Sequence, residues 1–293
     1  MDGSLKIKIK ILNAFSDNDK GGNPAGVVLN ADNLTNDQKL KIASKVGLSE
    51  TAFVSKSKLA DFKLDFFTPT RQIAHCGHAT IATFSYLSQL GLIKHKFSSK
   101  ETIDGIREIS IQGELAFMEQ KPPVYTEVKE SNEVILKSLN ITNEDLLINA
   151  SILKVNTGNS FIIIPVKDVA TIKNIEPNFD LITNLSEKYD LIGFYVFCTQ
   201  TVDPNRDVNT RMFAPSYGIE EEAGTGMAAG PLACYLFDIL NLKKDRFLIQ
   251  QGWFMNPPSQ SLIIVDLSIE NEKIIKLMAG GKGIQKKSII VEI

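Results

Sequence analysis

The sequence predicts an α+β protein of two related halves, each with one central apolar helix wrapped by sheet. Two observations predict this class. Segments rich in Ile, Val and Phe outnumber helical patterns and rarely alternate with them, which disfavours a doubly wound parallel sheet. In addition, one pattern occurs twice, about half a chain apart: a strand, Phe-x-Pro, a polar loop with Gly, and an apolar helix containing Tyr-Leu.

Strands are expected where β-branched and aromatic residues lie between turn-forming residues. The first such segment alternates Lys with Ile or Leu, which is the period of a strand with one buried face. The expected strands are 5–14, 25–29, 51–56, 61–68, 115–120, 150–156, 161–166, 191–198, 209–214, 247–251, 261–267 and 287–293.

Helices are expected in three places. The first covers 35–46, where apolar residues recur at helical spacing, Thr35 is a suitable N-cap and Gly47 a suitable stop. The other two cover 79–90 and 227–240. Both are almost uncharged, and uncharged helices are typically buried.

The domain bounds follow from the repeat and from a proline-bearing segment. Residues 119–130, "EQKPPVYTEVKE", are the natural crossover between the halves. We therefore expect a first domain of residues 1–122, to which a C-terminal strand at about 285–293 returns. The second domain is expected to cover residues 123–284.

Composition limits the partners. The 293-residue chain has a formal net charge of −2, which gives no basic field for nucleic acid. Its three cysteines lack a CxxC pattern, which argues against disulfides or structural zinc and favours a reducing cytoplasm. The longest apolar stretches are strand-length, well below the roughly 20 residues that span a bilayer. We expect a cytoplasmic protein without signal peptide or membrane span, and a small ligand.

The starts of the two apolar helices, "CGHAT" and "GTGMA", are candidate anion sites. A buried helix start leaves backbone N–H groups without partners, and the helix dipole favours an anion there. Both starts would point into one cleft if the two halves face each other. The alternative is that His78 and Thr225 only cap core helices.

Four motifs in order carry a family resemblance: "NAFSDNDKGGNPAGVVL", "GLSETAFV", "FFTPTRQIAHCGHATIATFSYL" and "RMFAPSYGIEEEAGTGMAAGPLACYL". Together they resemble the PhzF-like family, the phenazine-biosynthesis isomerase and its relatives, which share a fold with diaminopimelate epimerase. The match runs from about Ile11 to Leu236, and "QQGWFMNPPS" continues it. The resemblance implies two pseudo-symmetric domains, each a curved, mostly antiparallel sheet or open barrel around a central helix. It also implies a homodimer and an isomerase without cofactor or metal.

The resemblance also implies residue roles. Glu50 of "LSET" matches the family's acid/base, and His78 of "GH" matches its active-site histidine. Glu222 stands where the family often has Asp, Ala223 where it has Pro, and Met227 where it has Ser. Because Met cannot donate the hydrogen bond of Ser, the substrate is expected to differ while the chemistry of Glu50 is retained.

The resulting prediction is an isomerase that moves a proton on a small carboxylate metabolite. Glu50 carries the proton, and burial among phenylalanine rings would suit it to that task. His78 and Glu222 position or polarise the substrate, and backbone N–H groups of 77–78 and 225–226 hold its anionic group. The residues expected to bind substrate are Asn23, Ser49, Cys76, Gly77, Thr225, Gly226 and Met227.

Three alternatives stay open. Cys76 matches the first of the two cysteines that diaminopimelate epimerase uses, so a cysteine-dependent racemase or epimerase is one. A non-catalytic binding protein on the same scaffold is the second. A metal bound by His75, Cys76 and His78 is disfavoured, because adjacent residues on a strand point to opposite faces. His75 is expected to be a neighbour without chemistry.

Overall fold

The computed structural model describes residues 5–129 and 132–293. The chain divides into two compact units: the described residues of Met1–Met118 with Gly280–Ile293, and those of Glu119–Ala279. The predicted crossover 119–130 ends on Glu130, which lies outside the described residues, as do residues 1–4 of the predicted first domain. The domain bounds at 122 and 285 stay a prediction.

In chain order, the strands of the described residues are β1 (Lys6–Ala14), β2 (Asn23–Val28), β3 (Thr51–Ser55), β4 (Phe62–Phe67), β5 (Gln72–Ile73), β6 (Phe97–Thr102), β7 (Gly105–Gln112), β8 (Leu115–Gln120), β9 (Val124–Glu127), β10 (Leu153–Asn156), β11 (Ser160–Pro165), β12 (Gly193–Cys198), β13 (Val208–Phe213), β14 (Arg246–Gln251), β15 (Ser261–Glu270), β16 (Lys273–Lys282) and β17 (Ile284–Glu292). The α-helices are α1 (Asn36–Val46), α2 (Gly77–Gln89), α3 (Asn132–Lys137), α4 (Val169–Lys173), α5 (Phe179–Tyr189) and α6 (Gly226–Asp238).

The first unit surrounds α2 with strands. β1 pairs antiparallel with both β17 and β2, β2 runs parallel to β3, and β4 runs antiparallel to β3. β6, β7 and β8 continue as an antiparallel meander, joined to β4 by a parallel pairing of β4 with β6. Because α2 has no Asp, Glu, Lys or Arg, it is buried from His78 to Leu87 and packs against β1, β2 and β3.

The second unit repeats this plan around α6. β9, β10 and β11 pair antiparallel, β12 runs parallel to β11, and β13 runs antiparallel to β12. β14 then pairs parallel with β13 and antiparallel with β15. α6 is buried from Ala228 to Phe237 and packs against β10, β11 and β15. The predicted α+β class, with one apolar helix inside each set of strands, is confirmed.

Local signals account for the predicted helices. Thr35 Oγ1 accepts the Gln38 N–H at 3.2 Å, and the Gln38 side chain accepts the Thr35 N–H, so α1 begins with a capping box. Gly47 ends it with φ +68°, a conformation in which Gly carries no Cβ penalty. α2 begins at Gly77, two residues before its predicted start, which puts His78 inside the first turn.

The sequence prediction omitted several elements. α5 has a visible amphipathic pattern and an Asn178 N-cap, whereas α3 and α4 are too short to show a period. β5, β6, β7, β9 and β16 were also omitted. The first four residues of β7 are exposed, so that strand shows little alternation of apolar and polar residues. No described helix is long and apolar enough to cross a bilayer.

Candidate active site

Glu50 lies in the short link between α1 and β3, where its backbone is fixed by the sheet. The Gly26 N–H donates to Glu50 O at 3.0 Å, at the start of the parallel pairing of β2 with β3. This contact holds Glu50 at the edge of a strand while its side chain remains available. Only 14% of the Glu50 side-chain surface is exposed to solvent. Glu50 is therefore half-buried, and its burial among phenylalanine rings stays a prediction.

The start of α2 is fixed by hydrogen bonds to Cys76. Cys76 is extended (φ −143°), and its carbonyl accepts the Thr80 N–H at 3.3 Å and the Thr80 hydroxyl at 2.6 Å. The side chain of Cys76 makes no capping hydrogen bond. His78 follows in the first turn with 7% exposure. The residue before the helix and its first turn are therefore held together.

Glu50, Cys76 and His78 form one cluster. His78 Nε2 lies 3.2 Å from Glu50 Oε2, and Cys76 Sγ lies 3.7 Å from His78 Nδ1. The approach of His78 to Glu50 does not have hydrogen-bond geometry, and Glu50 Oε2 is buried without a hydrogen-bond donor among the described residues. A carboxylate and an imidazole side by side can exchange protons with a third group that contacts both of them.

The thiol of Cys76 stays protonated in this cluster. Burial raises its pKa, and the neighbouring Glu50 raises it further, while His78 acts in the opposite direction. A protonated thiol is a poor nucleophile, because the thiolate is the reactive form. The structure therefore gives no support to a nucleophilic Cys76, although it leaves the thiol beside Glu50 and His78.

His75 lies outside this cluster and contacts Lys100 instead. Lys100 is fully buried, and its ammonium lies 3.1 Å from His75 Nδ1, donates to Thr80 Oγ1 at 2.7 Å and faces the Phe66 ring at 5.2 Å. Burial lowers the pKa of Lys100 to about 7, and burial together with Lys100 lowers the pKa of His75 to about 3. His75 is therefore a neutral acceptor, and its lack of a chemical role stays a prediction.

Sequence reasoning missed Lys100. It lies on β6, where Ser98, Lys100 and Thr102 alternate inward with more exposed neighbours. An inward alternation of polar residues has no apolar signal, so only the tertiary packing around β6 distinguishes Lys100 from a surface lysine. The structure does not bring together the disfavoured metal ligands His75, Cys76 and His78. The residue that joins Cys76 and His78 at metal-ligand distance is Glu50.

In the second unit, a buried hydrogen-bond network holds Glu222 and the start of α6. The Thr225 hydroxyl donates to Glu222 Oε2. Gln251 Nε2 donates to Glu222 O at 2.7 Å and to Thr225 Oγ1 at 3.0 Å, and Gln251 Oε1 accepts the Thr225 N–H at 3.1 Å. The Tyr195 hydroxyl donates to the same Oε1 at 2.9 Å. Gln251 thus uses its full capacity of two donors and two accepted bonds.

This network bears on two expectations about Thr225. Its backbone N–H is engaged with Gln251, so it is not available to the anionic group that 225–226 was expected to hold. Thr225 does stand at the N-cap position of α6, but its hydroxyl binds Glu222 and makes no side-chain capping hydrogen bond. Sequence reasoning gave no role to Gln251 or Tyr195. Burial raises the pKa of the Tyr195 phenol, which keeps it a donor.

Glu221 and Glu222 are adjacent in sequence but have different hydrogen-bond partners. Arg211 donates to both carboxylate oxygens of Glu221, at 2.9 and 2.8 Å, and its Nη1 donates to the carbonyls of Ile172 and Ile175. This buried, paired arrangement is structural. Glu222 is instead tied to the start of α6 through Thr225 and Gln251, and its role in positioning the substrate stays a prediction.

The remaining predicted site residues differ in burial. Asn23 is buried in β2, Ser49 is exposed, and Gly77, Gly226 and Met227 are half-buried at the helix starts. Within the first unit the structure brings together Glu50, Cys76 and His78, and within the second it brings together Glu222 and Thr225. The facing of the two helix starts across one cleft stays a prediction.

Comparison with known proteins decides the family. The family model PhzC-PhzF, described as phenazine biosynthesis-like protein, matches residues 12–286. The chain belongs to the PhzC-PhzF family. An uncharacterized isomerase of Clostridium acetobutylicum is 33% identical over 95% of this chain and 96% of its own. The predicted family and the predicted enzyme class, isomerase, are confirmed.

Two further proteins are similar to this PhzC-PhzF chain. A Bacillus anthracis phenazine biosynthesis protein of the PhzF family has a solved structure with a TM-score of 0.89 and 29% identity. That match covers 99% of this chain and all of the other. The trans-2,3-dihydro-3-hydroxyanthranilate isomerase of Pseudomonas chlororaphis is 29% identical over 77% of this chain and 78% of its own.

Proposed function

We propose that this PhzC-PhzF protein is a cofactor-independent isomerase that moves a proton between two carbons of a small carboxylate metabolite, with Glu50 as the acid/base. The observation that carries the proposal is the side-by-side arrangement of Glu50 and His78, 3.2 Å apart, with side chains that are only 14% and 7% exposed. The Pseudomonas chlororaphis relative, named for an isomerisation of a small carboxylate, supports the substrate class.

Glu50 acts first as a base and then as an acid. Its carboxylate takes a proton from one carbon, so that a C–H bond breaks and the electron pair enters the conjugated system of the substrate. The protonated Glu50 then returns the proton to a second carbon, where a new C–H bond forms. Such a positioned acid/base contributes roughly 10²–10⁴ to the rate. Because one C–H bond breaks and another forms, the proposed reaction needs no oxidant, reductant or metal.

His78 stabilises the charge that develops in this step. Its Nε2 lies beside Glu50 Oε2, within reach of a substrate atom that contacts the same oxygen. The backbone N–H groups of Gly77 and His78 belong to the first turn of α2, where no intrahelical carbonyl is available to them. We assign the substrate carboxylate to this turn, because an anion is favoured at a helix N-terminus.

Glu222 orients a polar group of the substrate. Its carboxylate is held by the Thr225 hydroxyl and its backbone carbonyl by Gln251. The extra methylene of Glu relative to Asp is thereby anchored, which limits the misplacement that a longer side chain introduces. Asn23, Ser49, Cys76, Gly226 and Met227 complete the proposed substrate contacts. The proposal includes a homodimer, as the family resemblance implies, and a cytoplasmic location, as the cysteine pattern indicates.

Solvent-deuterium exchange tests the assignment. Wild-type protein and Glu50→Gln are incubated in D₂O with trans-2,3-dihydro-3-hydroxyanthranilate and with small carboxylates that carry an acidic C–H, and deuterium is followed by NMR. Exchange is expected in the wild type and absent in Glu50→Gln. The matched control is Glu108→Gln, an exposed carboxylate of β7, which should exchange like the wild type. Exchange that persists in Glu50→Gln would refute the role of Glu50.

A further inference from the structure

Glu50, Cys76 and His78 each offer one atom that can bind a metal ion: an oxygen, a sulfur and a nitrogen. Their ligand atoms all lie within 4.8 Å of one another, with His78 Nε2 3.2 Å from Glu50 Oε2 and 4.0 Å from Cys76 Sγ. In tetrahedral zinc, bonds of about 2.0–2.3 Å put the nitrogen about 3.4 Å from oxygen and about 3.6 Å from sulfur. Shifts of a few tenths of an ångström would therefore bring His78 Nε2 to zinc-ligand distances from the other two atoms.

A second observation points to an ion at this position. Glu50 Oε2 is buried without a hydrogen-bond donor among the described residues, which is a costly state for a carboxylate oxygen. The Glu50 side chain is 14% exposed, so solvent reaches this residue, whereas Cys76 is buried. A carboxylate, a thiolate and a neutral imidazole carry a charge of −2, which a divalent cation neutralises.

We propose that Glu50, Cys76 and His78 bind Zn²⁺ reversibly and that the bound ion blocks the active site. On binding, the Cys76 S–H bond breaks, its proton leaves to solvent, and the thiolate, one Glu50 oxygen and His78 Nε2 each form a bond to zinc. Water occupies the fourth position. Thiolate and imidazole are ligands that favour zinc and cobalt over Mg²⁺ or Ca²⁺. A coordinating thiol is deprotonated even where the free thiol is not.

The consequence for activity rests on the proposed function. A zinc ion on Glu50 and His78 removes the carboxylate oxygen that takes the proton and the imidazole beside it, so proton transfer should stop. The ion acts as an inhibitor and not as a resident cofactor. Zinc binding itself can be measured without substrate, so a failure of the metal site and a failure of the isomerase assignment give different results.

Co²⁺ is used as the probe because its absorption spectrum depends on the identity and geometry of its ligands. Metal-free protein is titrated with Co²⁺, and then with Zn²⁺ to displace it. We expect one ion per chain, tetrahedral d–d bands, a sulfur-to-cobalt charge-transfer band and release of the thiol proton. Glu50→Gln should keep the sulfur band but bind zinc more weakly. Loss of a residue that only hydrogen-bonds to a metal ligand lowers metal affinity by roughly 10- to 100-fold, so loss of the ligand Glu50 should lower it by at least that much.

Cys76→Ala should lose the sulfur band and the proton release. The matched control is Cys198→Ser, a buried cysteine of the second unit whose thiol donates to Gln200 O, and it should bind cobalt like the wild type. If Cys76→Ala does not fold, protection of wild-type Cys76 by Zn²⁺ against a thiol reagent, followed by mass spectrometry, decides. Cobalt bound without a sulfur band, a band that survives in Cys76→Ala, or no zinc protection would each overturn the proposal.

Discussion

His78 Nε2 lies 3.2 Å from Glu50 Oε2, although the strands β3, β4 and β5 separate the two residues along the chain. Glu50 precedes β3, and His78 lies in the first turn of α2. The distance is short enough for both groups to contact one substrate atom. This pair is the basis of the first prediction.

Replacement of His78 by Asn should reduce kcat by about 10²–10⁴ with a smaller change in KM, because the imidazole supports the proton transfer of Glu50. The measurement is deuterium exchange under substrate saturation. His95 lies outside the cluster, so His95→Asn is the matched control. Equal rates for His78→Asn and the control would contradict the assignment.

Gln251→Met should impair both stability and turnover, because Gln251 makes four hydrogen bonds that hold Glu222, Thr225 and Tyr195. Each buried group left without a partner costs about 1–3 kcal/mol in the free energy of unfolding. Gln250→Met is the control: Gln250 is equally buried on β14, but its side chain bonds Val202 N, outside this network. We expect urea unfolding to shift in both variants and kcat/KM to fall only in Gln251→Met.

Lys100→Met should stabilise the protein, and more at neutral pH than at high pH. Burial lowers the pKa of Lys100 from its ordinary 10.5 to about 7. Between these values the unfolded chain holds the proton and the folded chain does not, so the wild type gains stability as pH rises. The advantage of the variant, on the order of a few kcal/mol near pH 7, should shrink toward about pH 10.

Urea unfolding at the two pH values measures this difference. Lys41→Met is the control, because Lys41 is exposed on α1 and its replacement should give a difference that does not depend on pH. A Lys100→Met effect that is equal at both pH values would show that burial of the ammonium is not the cause. A loss of stability at every pH would show that its bonds to His75 and Thr80 outweigh its desolvation.

Cys76→Ser separates the isomerase from the cysteine-dependent racemase or epimerase. Burial raises the pKa of the Cys76 thiol, so the thiol is not prepared as a base. We expect Cys76→Ser to keep deuterium exchange at saturation within about tenfold of wild type, with the change mainly in KM. A fall of roughly 10³-fold or more in kcat, together with inactivation by thiol alkylation, would favour the cysteine mechanism.

The three predicted helices and most strands could be predicted because their signals are local. Thr35 and Gly47 define α1, and the absence of charge along most of α2 and α6 requires that they be buried. The candidate residues Glu50, His78 and Glu222 came from motifs, since no spacing along the chain relates Glu50 to His78. β7 was missed because its first half is exposed, and the alternation of residue types is weak there.

By itself the sequence determined the α+β class, the repeated helix starts and the family, because periodicity, charge and motif order are properties of the linear chain. Only the tertiary structure decided which side chains meet: Glu50 and not His75 beside Cys76 and His78, Lys100 beside His75, and Gln251 rather than solvent on the Thr225 N–H. The physical reason is that hydrogen-bond partners and desolvation depend on distances between residues remote in sequence, which strand pairing and helix packing establish.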